Sequence, residues 1–76
     1  MKLVTASSIP YKQSRSAYNK LKRFGYNPSL SKDGIHYLSF FVDTDDISAI
    51  NIIKKALSFD ENHWEFKHTT FEVKDC

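Results

Sequence analysis

Seventy-six residues, 41% hydrophobic and 14% aromatic, suffice for one small domain around a single core and leave no room for a second. Cys76 is the only cysteine, so a disulfide within the chain is excluded and the fold must stand on packing, which fits a reducing, cytoplasmic setting. The formal charge of +2 conceals a partition: residues 1–32 hold seven Lys and Arg and no acid, whereas 33–76 hold nine acids against four lysines, giving +7 and −5.

From the amino terminus, Met1 to Ser8 lacks the apolar stretch of an export signal, and no run in the chain approaches the length of a membrane span. Leu3 to Ser7 reads as a first strand. Ser8-Ile9-Pro10 then looks like a helix entry, because proline is tolerated where its missing N–H has no intrahelical partner anyway. Ser14, Ala17, Tyr18, Leu21 and Phe24 recur at three- and four-residue spacing and define one helical face, closed by Gly25. Tyr26 to Lys32 is a strand only if it lies at an edge, since Pro28 cannot donate to a ladder. Asp33-Gly34 is a two-residue hairpin signal.

Ile35 to Val42 is the most apolar stretch and is expected to be a central strand. Asp43, Asp45 and Asp46 supply a cap and negative charge for a second helix. Its inward stripe is Ile50, Ile53 and Leu57, flanked by Ala49 and Ala56. His63 to Lys74 reads as a last strand. Trp64 and Phe66 take one alternation phase there and Phe71 and Val73 the other, so a bulge or short turn is expected between Lys67 and Thr70.

The order strand, helix, strand, strand, helix, strand predicts an α+β, ferredoxin-like βαββαβ sandwich of one domain, residues 1–76. A four-stranded antiparallel sheet would carry both helices on one face, with Leu21, Phe24, Leu38, Phe40, Ile50, Ile53 and Leu57 buried. This topology is similar to that of RNA-recognition motifs. Gly34, Tyr37, Leu38 and Phe40 also fit part of their signature on the third strand. Asp33, Ile35 and His36 depart from it, and the first strand lacks the aromatic of the companion signature, so the likeness covers topology only.

No chemistry-bearing motif emerges. Two glycines cannot build a phosphate loop, and a terminal Cys76 is poorly placed as a nucleophile. His63 and His68 are five apart and would face opposite sides of a strand. No enzyme activity, metal or cofactor is therefore expected. Two surfaces stand out instead. At about 100° per residue, Lys12, Arg15, Asn19, Lys22 and Arg23 share a third of the first helix's circumference with no acid among them. Tyr37 and Phe41 fall on the strand face away from the helices. Together these suggest a small binding or regulatory protein that docks onto a partner with an acidic surface, or onto a second copy through its open sheet. The alternative is a single-stranded RNA- or DNA-binding module using the basic helix and the open sheet. The charge partition also admits halves that neutralise each other on folding.

Overall fold

The computed structural model describes residues 1–31 and 36–76. The elements are β1 (Lys2–Ser7), α1 (Tyr11–Arg23), β2 (Ser29–Ser31), β3 (Tyr37–Val42), α2 (Asp46–Leu57), a 3-10 turn (Trp64–Phe66) and β4 (Thr70–Asp75). The expected βαββαβ order is present, in a four-stranded antiparallel sheet of order β2-β3-β1-β4 with both helices on one side. The apolar β3 is central, and the strand that follows Pro28 is an edge. The Asp33-Gly34 hairpin signal lies outside the described residues. No helix among them is long and apolar enough to cross a membrane.

Strand alternation sorts the two faces of the sheet. Val4 stands opposite Phe40 and Val73, and Ala6 opposite Leu38 and Phe71, so one face of β1 and β3 is apolar throughout. The helices cover that face. Ala17 and Leu21 from α1 and Ala49, Ile53 and Leu57 from α2 are fully buried against Val4, Leu38 and Phe40. Ser14 is the one buried polar residue among the described residues, and its hydroxyl is satisfied by donating to the Tyr11 carbonyl at 2.8 Å.

The end of α1 explains one departure from expectation, and α2 shows another. Periodicity places Phe24 inside, but it is 56% exposed. α1 ends at Arg23, and the chain reverses through Gly25 at φ 96°, where the Gly25 N–H donates to the Lys22 carbonyl and the Tyr26 N–H to that of Leu21. This reversal brings Tyr26, rather than Phe24, against the core, with its ring 4.9 Å from that of Phe40. Ile50, also expected inside, is only partly buried, and the inner face of α2 is completed by Ala49 and Ala56.

A third departure is at the carboxy-terminal end. His63 to Lys74 is not one strand. The His63 side chain accepts the Glu65 N–H and starts the 3-10 turn, which buries Phe66 and leaves Trp64 78% exposed. A turn at Lys67-His68 follows, within the stretch where the alternation phase changes, and β4 begins at Thr70. Phe59 holds the connection down, with ring contacts to Phe66 and Phe71 at 5.2 Å each.

Candidate functional site

The expected basic stripe is presented to solvent as a unit. Ser14, Ala17 and Leu21 turn α1 inward, so Lys12, Arg15, Asn19, Lys22 and Arg23 project on its opposite side, and all five are exposed. Among the described residues, no cation of α1 lies within ion-pair distance of a carboxylate. The ion pairs present join Lys2 to Asp46, Lys2 to Asp75 at 3.7 Å, and Lys74 to Glu72 at 3.5 Å. Lys2 is therefore the only first-half cation, among those described, that meets an acid of the second half. Its ammonium is held above its ordinary value, first by the hydrogen bond to Asp46 and less by Asp75. On α1, Lys20 reaches only the Ser58 hydroxyl, at 3.4 Å, and Lys22 lies over the Tyr18 ring at 5.8 Å.

A groove of about 450 Å³ runs along one flank of this stripe, lined by Arg15 and Tyr18 of α1 and by Pro28, Ser29 and Leu30 at the β2 edge. Its mouth is open, and β2 contributes only three residues of strand to it.

Tyr37 and Phe41 are 43% and 51% exposed on the face of β3 that turns away from the helices. The sheet separates them from the basic stripe, so the seven residues singled out by sequence form two surfaces rather than one. The register also defines what surrounds the two rings. Phe41 has Leu3 beside it, Tyr37 lies between Ser7 and Ser31, and Ser39 lies between Thr5 and Ser29. This face is thus rich in hydroxyl groups, and Lys74, its one described cation, is paired with Glu72.

A third surface escaped the sequence reading. At the start of α1, Pro10, Tyr11 and Lys12 face Trp64 and Glu65 across a cleft of about 420 Å³. Tyr11 is 66% exposed. Its ring meets the edge of His36 at 5.3 Å, and Trp64 has the His63 ring stacked beside it at 6.0 Å. The signal that a turn, rather than a strand, begins here was the polar run Asp60-Glu61-Asn62-His63, whose side chains cap: the Asp60 carboxylate accepts the Asn62 N–H at 3.0 Å.

The acidic run before α2 acts as a helix start. Asp45 is the N-cap residue, and its carboxyl is held below its ordinary value, chiefly by the Ser48 hydroxyl in the first turn. Among the described residues, no three His, Cys, Asp or Glu side chains converge as a metal site. No family model matches the chain, and no curated protein is significantly similar to it.

Proposed function

We propose that this chain is a small, non-enzymatic binding protein that docks onto an acidic surface of a protein partner through α1, and regulates that partner by occupying it. The observation that carries the reading is the state of the stripe. Lys12, Arg15, Lys22 and Arg23 face solvent with no carboxylate of the described residues within ion-pair distance, although those residues include eight of the nine acids of the other half. Mutual neutralisation of the two halves would have paired them. An unpaired set of one sign raises association rates and selects an oppositely charged surface. In this reading the protein works in a reducing, cytoplasmic setting, where Cys76 stays a free thiol.

Replacing Lys12, Arg15, Lys22 and Arg23 by Glu tests it. Capture of the partner from lysate of the source cell should be lost, with nuclease present or absent, while thermal unfolding stays nearly unchanged. Retained capture would remove α1 from the interface.

The exposed pair Tyr37 and Phe41 favours a second reading, single-stranded nucleic acid stacked on the open sheet. It is weaker, because strand binding combines rings with cations, and here the sheet lies between them. If it held, four phosphate contacts from α1 would give a log K against log salt slope of about −3. Tyr37→Ser with Phe41→Ser would then abolish binding of an oligonucleotide.

A further inference from the structure

We infer that the cleft between Tyr11 and Trp64 is the anchor pocket of the docking site, taking one large apolar side chain of an acidic peptide segment whose carboxylates continue along α1. This inference rests on the basic-face reading and adds to it the place where the partner is held. Lys12 belongs to both surfaces: it lines the cleft and begins the stripe that continues to Arg15, Asn19 and Lys22. Interfaces draw most of their affinity from a few anchors in pockets, with charges setting approach and register. α1 supplies the charges, and the cleft supplies the pocket.

Three features define the occupant. Tyr11, Trp64 and Pro10 give the cleft apolar walls, and its volume of about 420 Å³ falls within the range of ligand-sized sites. Each ring has an aromatic neighbour that limits its rotation, His36 at the edge of Tyr11 and His63 stacked beside Trp64, so part of the side-chain freedom is given up before docking. Glu65 stands in the wall. A carboxylate there repels anions of either kind but accepts a peptide N–H, so the apolar residue and its backbone N–H lie beside Glu65 and the peptide's own carboxylates lie beyond Lys12. The cations that continue from Lys12 require the rest of that peptide to be acidic.

Trp64 is the only tryptophan of the chain and reports directly on the cleft. The intact protein is titrated with a short peptide of alternating Asp and Glu carrying one terminal leucine, and with the same peptide carrying glycine instead. Binding is followed by Trp64 emission and by anisotropy of a fluorescein on the acidic end. The leucine peptide should shift Trp64 emission to the blue and bind about tenfold more tightly than the glycine peptide. Tyr11→Ala should erase that tenfold difference without weakening the glycine peptide.

Two results would overturn the anchor and leave the basic-face reading standing. One is equal binding of both peptides with Trp64 emission unmoved, while Lys22→Glu with Arg23→Glu still abolishes binding. The other is a blue shift that grows with protein concentration alone, which would make a second copy the occupant. A shift with a thymidine oligonucleotide but with neither peptide, or no binding of either peptide, would end both.

Discussion

α1 and α2 are of nearly equal length, 13 and 12 residues, and rest on the same core, yet their first turns follow opposite electrostatic rules. α2 opens on Asp45 and Asp46 and closes on Lys54 and Lys55, so charges of the favoured sign sit at both ends of its dipole. α1 closes equally well, on Lys20, Lys22 and Arg23, but opens on Pro10 with no capping side chain, no acid in its first turn, and Lys12 at the positive end of the dipole. A helix that satisfies the local rules is explained by folding alone. One that departs from them at a single end, as α1 does at Lys12, is not explained by the dipole rule alone. That end of α1 borders the Tyr11–Trp64 cleft.

The comparison requires both helices to depend alike on the core, and the largest expected effects test that requirement. Phe40 is fully buried beneath them, and Phe40→Ala should cost about 3–5 kcal/mol in chemical denaturation, a large share of the stability of so small a domain. Leu21→Ala on α1 and Ile53→Ala on α2 should each cost about 2–5 kcal/mol, both side chains being fully buried. A negligible loss for Leu21→Ala would mean that α1 is loosely held, and its unusual first turn would then reflect weak packing rather than a binding role.

The carboxy-terminal ends of the helices use one geometry with different residues. Gly25 ends α1 at φ 96° and Ser58 ends α2 at φ 54°. In α2 the Ser58 N–H donates to the Lys55 carbonyl and the Phe59 N–H to that of Lys54, the pattern seen in α1 around Gly25. A Cβ at Gly25 would meet no atom within 4 Å, so Gly25→Ala acts through backbone strain alone and should destabilise by about 1 kcal/mol. Ser58→Gly relieves the same strain and should stabilise by about 0.5 kcal/mol, less than the full strain because glycine also gains freedom in the unfolded chain. Equal effects of the same sign would show that the two ends do not share a mechanism.

How much of this was legible in sequence follows from which signals are local. The edge and centre of the sheet were readable because Pro28 and the apolar run through Phe40 act at their own positions. The inward face of α1 was readable up to Leu21, where periodicity still applies. Phe24 was misread because its place is decided by the reversal at Gly25, which presents Tyr26 to Phe40 instead. The basic stripe was visible because one helix carries all of it. The cleft was not, because Tyr11 and Trp64 are more than fifty positions apart and only the packing of a 3-10 turn against the start of α1 joins them. Whether the stripe was neutralised depended likewise on tertiary distances, which composition does not contain.

Smaller effects separate the two first turns directly. Lys12→Glu replaces a charge of the wrong sign at the positive end of the dipole, so it should raise stability by about 0.3–1 kcal/mol while weakening binding to an acidic partner. Asp46→Lys in the first turn of α2 should lower stability by a similar amount, about 0.3–1 kcal/mol, and it also removes the ion pair with Lys2. If Lys12→Glu destabilised the protein, the first turn of α1 would be built for folding after all.

The smallest expected difference is in acid. The Asp45 carboxyl is depressed in the folded protein, chiefly by the Ser48 hydroxyl, below the 3.8 of an ordinary aspartate. A group depressed on folding contributes stability that is fully present above its unfolded value and is lost as the pH falls through its folded one. The first turn of α2 should therefore loosen below about pH 4, whereas α1 has no acid in its first turn to protonate. Amide exchange corrected for intrinsic rates reads this locally. Protection of Ala49, whose N–H donates to the Asp45 carbonyl, relative to Ser14, whose N–H donates to that of Pro10, should fall between neutral pH and the acid range. Asp45→Asn keeps a hydrogen-bonding side chain of the same shape at the N-cap position but removes the titration, and should flatten that ratio. A ratio that falls equally in wild type and Asp45→Asn would place the acid sensitivity elsewhere in the chain and remove Asp45 from the contrast between the two helices.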